Sequence, residues 1–215
     1  ESAAAANRLG RLLTLYGEHA EAEVVLKAAQ QRAEKTGEAH TRTTVQTLLA
    51  ELYCERAEYD DAKVWGERAL EAALTIDART LEIHARNTLG KVALARKDAG
   101  AAAEFFRYNH ERADEMNLGH QRAQALTNHG VAMLRLQRLD EAKSYFEDAI
   151  REASAAGDSR DLAIATENLA VLAHLSRDYS AALEYYHHAV AQLKRLGNRP
   201  MLTRVGINLG ELYLS

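Results

Sequence analysis

The chain has 215 residues, a net charge of −4 and a pI near 6.2, with 47% hydrophobic and 27% charged side chains. That is enough apolar material for a packed core, and mild acidity without a basic block argues against a nucleic-acid or membrane-surface binder. One proline leaves long helices open almost everywhere, one cysteine (Cys54) excludes an internal disulfide, and no apolar run approaches the roughly 18 residues of a membrane helix.

The opening Ala3–Ala6 stretch is too short and too weakly apolar for a signal-peptide core. A cytoplasmic setting is expected. Because the chain does not begin with Met and ends inside a helical pattern, it reads as a fragment of a longer protein, or a processed one. Ala and Leu dominate over β-branched residues, which favours helix. The excess of Arg over Lys, 20 against 7, suggests a GC-rich, bacterial genome.

Taken in chain order, the patterns predict helices near 2–16, 18–35, 39–56, 59–75, 79–97, 100–115, 119–137, 140–155, 159–177, 180–196 and 199–214. They repeat with a step of 40 residues. A small residue recurs in the first helix of each unit: Gly10, Ala50, Gly90, Gly130, Ala170 and Gly210. Twelve residues on, the second helix carries Ala22, Ala62, Ala102, Ala142 and Ala182. Two such columns predict helices crossing closely, since a larger side chain would push the axes apart. A bulky layer lies between the columns, including Leu9, Leu49, Leu89 and Leu169 and the doublets Phe105–Phe106, Tyr145–Phe146 and Tyr185–Tyr186.

Gly37, Asp77, Asn117, Gly157 and Gly197 form a stop column of residues that tolerate a left-handed backbone. Asp60, Gly100, Asp140 and Ser180 are the expected N-caps of the second helices, with Ala20 breaking the column. Pro200 suits the first turn of the last helix. The chain is therefore expected to be one elongated domain, 1–215, with repeats near 1–37, 38–77, 78–117, 118–157 and 158–197 and a half repeat, 198–215.

The stretches "NHGVAMLRLQRLDEAKSYFEDAI" (128–150) and "NLAVLAHLSRDYSAALEYYHHAV" (168–190) resemble tetratricopeptide repeats. The family's small first-helix residue matches Gly130 and Ala170. Its second-helix Ala matches Ala142 and Ala182, its aromatic Phe146 and Tyr186, and its next small residue Ala149 and Ala189. A HEAT or armadillo array has units of similar length but fits this spacing less well. The unit here is 40 residues against the usual 34, a longer form similar to that of animal spindle-orientation adaptors and many bacterial signalling proteins. Gly66 stands where the aromatic belongs and Asn109 where a small residue belongs, with Trp65 placed to fill the first gap.

The resemblance implies an all-α, right-handed α-α superhelix of five helical hairpins plus one extra helix. It also implies a concave groove, lined by the first helices, that holds a peptide or partner helix. The residues it places there are Asn7, Arg8, Arg11, Asn87, Lys91, Gln124, Asn128, Arg135, Asn168, His174, Arg204 and Asn208, with Glu51, Glu55, His84, Glu167 and Glu211 beside them. Asn128, Asn168 and Asn208 share one column, and Asn7 and Asn87 lie one residue earlier in theirs. Asn is a mediocre helix former, so repeating it there asks for a reason: backbone pairing with an extended ligand, or rigidifying bonds to the adjacent helix.

The basic residues of this set suit acidic side chains or a C-terminal carboxylate, but the glutamates offset them, and the two-carboxylate clamp of chaperone-binding relatives is not matched in register. No catalytic role, cofactor or metal is expected. His110–Glu111–Arg112 is not a metal motif, His187 and His188 point to different sides of a helix, and no phosphate loop or nucleophile elbow occurs. The leading expectation is a protein- or peptide-binding adaptor. The alternative is a regulatory or self-assembling segment of a larger bacterial signalling protein, a homo-oligomer through the last helix, which would expose Leu209, Leu212 and Leu214.

Overall fold

A computed structural model describes residues 3–214. Among them are eleven α-helices. In chain order they are α1 (Ala3–Tyr16), α2 (His19–Thr36), α3 (Ala39–Glu55), α4 (Tyr59–Thr75), α5 (Arg79–Ala95), α6 (Ala99–Glu115), α7 (Gly119–Arg135), α8 (Leu139–Ala155), α9 (Ser159–Leu175), α10 (Tyr179–Leu196) and α11 (Arg199–Leu214).

Two left-handed residues per 40-residue unit set these boundaries. The stop column behaves as expected: Gly37, Asp77, Asn117, Gly157 and Gly197 all have φ between 50° and 69°. A second column was not anticipated. Gly17, Ala57, Lys97, Gln137 and Arg177, with φ from 59° to 82°, close the first helix of each hairpin. At Ala57 the next amide, Glu58 N–H, donates to Tyr53 O at 2.9 Å and Ala57 N–H to Cys54 O at 3.1 Å. This paired closure satisfies carbonyls that the helix end would otherwise leave open. Four of the five residues are not glycine, so the composition gives no hint of the turn.

The caps differ from expectation for the same reason. Each second helix begins one residue earlier than the predicted cap column. The caps that work are Asp98, whose Oδ1 accepts from Ala101 N–H at 2.9 Å, and Asp178, which accepts from Ala181 N–H at 3.1 Å. Asp158 and Asn198 serve α9 and α11 in the same way. Asp60 and Asp140 lie within the first turn, where a carboxylate complements the helix dipole.

The chain divides into two compact units, Glu1–Phe105 and Phe106–Ser215. In the first, α1 to α4 pair as hairpins, and the odd-numbered helices also touch one another, α1 on α3 and α3 on α5. In the second, α7 with α8 and α9 with α10 form hairpins, and α7 touches α9, which touches α11. Each unit thus has an inner row of odd-numbered helices backed by the even-numbered ones.

The small columns do what their size implies. A Cβ on Gly130 would lie 2.5 Å from Phe146 Cε1, and one on Gly10 2.5 Å from Leu26 Cδ2. Both neighbours are fully buried. At Gly66 the gap is filled mainly from α5: Leu89 Cδ2 sits 2.9 Å from where a Cβ would be, while Trp65 packs half-buried at the edge of the core. Asn109 is fully buried.

Two expectations are corrected. Leu9 is 45% exposed, since α1 packs only on α2 and α3 and leaves that side open. On α11, Leu212 is buried and Leu209 packs on the core of α9 and α10, while Ile207, Tyr213 and Leu214 are the apolar residues left in solvent.

Candidate functional site

The face of the inner row that no helix covers follows from the helical period. In α7, Gln124, Asn128, Val131 and Arg135 are not buried and share one face of the helix. The matching positions of α9, Ile164, Asn168, Val171 and Leu175, are open in the same way. Steps of 4, 3 and 4 residues trace one stripe along a helix. α3 of the first unit repeats it with Thr44, Leu48, Glu51 and Glu55.

Nine of the twelve predicted ligand residues hold the stripe positions of their own helices. Arg8 and Arg11 do so on α1, Lys91 on α5, Gln124, Asn128 and Arg135 on α7, Asn168 on α9, and Arg204 and Asn208 on α11. The other three do not. Asn7 and Asn87, one position earlier, are each only 8% exposed and face into the stack. Their column continues as Thr47, Thr127 and Glu167, all buried, so it is a polar seam between helices rather than a wall. Thr127 Oγ1 donates to Ala123 O at 2.9 Å and Thr47 Oγ1 to Thr43 O at 3.0 Å, which satisfies them locally. His174 lies at the hairpin turn, edge-on to Tyr179 with ring centres 6.0 Å apart.

Several stripe residues have partners within the protein. Asn168 Nδ2 donates to Ile164 O at 2.9 Å, one turn back, and this leaves its oxygen as an acceptor. Arg204 forks onto the buried Glu167 carboxylate, with Nε at 2.9 Å from Oε1, and Asn208 Nδ2 reaches the same oxygen at 3.4 Å. This planar two-point pairing ties α11 to α9 and neutralises a charge that burial alone would penalise. Arg204 and Asn208 are thus engaged with Glu167, and Gln124, Asn128, Arg135 and Asn168 share the open face with the apolar residues Val131, Val171 and Leu175. Sequence reading passed over these apolar residues because it sought polar ones; the signal was present, for Val131 and Val171 stand 40 residues apart.

Two other features belong to packing. Cys54 is half-buried against the first unit's core, and burial pushes its thiol up, away from thiolate chemistry. In the second unit His129 occupies the position of the Leu column. Its ring stacks on Tyr145 at 4.1 Å and on His110 at 5.4 Å between centres. Burial lowers the His110 pKa, favouring a neutral ring suited to that stack.

Residues 121–195 match the family model of the tetratricopeptide repeat. Residues 121–195 thus carry tetratricopeptide repeats. A search of curated protein sequences gives no match. Among solved structures, this chain is similar to BtubC from P. vanneervenii, at 20% identity over 93% of this chain and 83% of that one, with a TM-score of 0.72. It is also similar to a Rap protein complexed with Competence and Sporulation Factor, at 16% identity over 91% of this chain and 55% of that one, TM-score 0.81. A third is the Rap conjugation gene regulator of plasmid pLS20 in complex with the Phr* peptide, at 18% identity over 84% of this chain and 53% of that one, TM-score 0.66. The chain spans about half the length of the two Rap proteins. At such identities the likeness is one of fold. No helix among the described residues is long and apolar enough to cross a membrane.

Proposed function

We propose that the chain is a protein-interaction module that holds an extended peptide or a partner helix on the open face of its inner helices, as an adaptor rather than an enzyme. The observation that carries this reading is the repeated stripe of the second unit. An apolar strip of Val131, Val171 and Leu175 is flanked by the side-chain amides of Gln124, Asn128 and Asn168, with Arg135 at one end.

Such a surface suits a chain segment that offers both apolar side chains and unpaired backbone groups. The amides supply donors and acceptors for the backbone, and the valines supply contact area. Arg135 is exposed, so it adds attraction for a carboxylate rather than specificity at depth. The two Rap proteins above, each solved with a bound factor or peptide, support the reading by analogy of fold.

The test is affinity capture with the purified chain, comparing wild type with Asn128→Ala/Asn168→Ala. The double variant is expected to lose captured partners by at least about tenfold, the scale of two lost hydrogen bonds. Its helical circular dichroism should be unchanged, because both side chains are only half-buried. Capture equal to wild type would count against this face.

A further inference from the structure

Outside the stripe, the second unit gathers three metal-ligating side chains from two inner helices. His120 lies in the first turn of α7. Asp158 caps α9 and Asp161 lies in its first turn. His120 Nδ1 is 2.7 Å from Asp158 Oδ2 and 2.8 Å from Asp161 Oδ2, and all three atoms lie within 4.8 Å of one another.

Hydrogen bonding alone does not satisfy this group. An imidazole nitrogen carries at most one hydrogen, which aims well at only one of two carboxylate oxygens. Asp158 is otherwise provided for: its Oδ1 accepts from the Arg160 and Asp161 amides at 3.0 and 2.9 Å, freeing Oδ2 to face His120. Asp161 is not. Its side chain is only 6% exposed, and its Oδ2 has no hydrogen-bond partner although it points into the cluster. A buried carboxylate oxygen without a donor is costly.

We propose that His120, Asp158 and Asp161 bind a divalent first-row metal ion, with Zn²⁺ the best fit, and that the ion pins the start of α7 to the start of α9. A neutral imidazole and two carboxylates supply one nitrogen and two oxygens, a set Zn²⁺ accepts, and two negative charges that balance the ion's two positive ones. Metal–ligand bonds near 2.0–2.2 Å need ligand atoms somewhat over 3 Å apart, so each carboxylate oxygen has only to move about half an ångström away from His120 Nδ1. His120 is half exposed, so the remaining position opens to solvent and is filled by water. The ion links residues 38 and 41 positions apart in the chain, which makes it a clamp between consecutive repeats.

The experiment uses the full chain after dialysis against EDTA. Zn²⁺ is titrated calorimetrically, and thermal melts are recorded with and without it, for wild type, His120→Ala and Asp161→Asn. Wild type is expected to show one site of micromolar or tighter affinity and a higher melting temperature with Zn²⁺. Both variants should bind at least about tenfold more weakly and lose the shift. His120 is exposed enough that its variant keeps the fold, and Asp161→Asn preserves volume. Co²⁺ should give ligand-field absorption in wild type that His120→Ala lacks. Absence of micromolar Zn²⁺ binding to wild type overturns the proposal. So does binding that His120→Ala leaves intact, which would place the ion on other histidines.

Discussion

Gly130 and Gly210 occupy the same column of the repeat, yet the structure asks different things of them. At Gly130 a methyl group would press on the ring of Phe146, which is fully buried and has no room to withdraw. Replacing Gly by Ala in a helix gains about 1 kcal/mol of propensity, and overpacking costs about 1–3 kcal/mol, so Gly130→Ala is expected to destabilise by about 1 kcal/mol. At Gly210 nothing lies within 4 Å of an added Cβ. Gly210→Ala should therefore stabilise by up to about 1 kcal/mol. Urea unfolding of the two variants checks both signs. The column was legible as a column of small residues. Whether smallness is needed at a given member depends on a side chain 16 positions further on, Phe146 for Gly130, and α11 has no such following helix among the described residues.

Between elements, α2 and α3 are latched through one carboxylate. Glu23 accepts from Tyr53 Oη at 2.8 Å, pairs with Lys27 at 2.6 Å, and takes a further bond from Arg56. The Lys27 ammonium first, with Tyr53 and Arg56 after it, holds the Glu23 carboxyl down at about 2, against burial that pulls it upward. A carboxyl whose folded pKa lies below its unfolded one contributes stability above the unfolded value, and that contribution is lost as pH falls through the folded one. Glu23→Gln is thus expected to lower the melting temperature by about 1–3 °C at pH 7, as befits a partly exposed network. The difference from wild type should shrink between about pH 4.5 and 2. Melts across that range check it; a constant difference would mean the loss is one of packing.

Helix ends show the same division. The stop column was readable because Gly, Asn and Asp are the residues that favour a left-handed backbone. The hairpin turns at Ala57, Lys97, Gln137 and Arg177 were not, because their strained φ is imposed by packing the two arms of the hairpin.

For the molecule as a whole, what matters is which faces remain uncovered. On α11 the open residues Ile207, Tyr213 and Leu214, the last 91% exposed, form the apolar surface on which self-association would rest. If the chain is a homo-oligomer through this helix, light scattering should give a mass above the 23.8 kDa of one chain, returning to it in Ile207→Asp/Leu214→Asp. A monomer at high concentration removes that reading. The 40-residue recurrence of small and bulky residues determined by itself that this chain is all helix and where each repeat stops, because those properties depend on period and on local backbone preference. Only the tertiary structure decided that Asn7 and Asn87 turn inward while Asn128 and Asn168 stay open. It also decided that Glu167 is consumed by Arg204, and that His120 meets two aspartates about 40 residues away. One residue of offset along a helix rotates a side chain by about 100°, and whether that leads to solvent or to a neighbour is settled by the helix packed beside it.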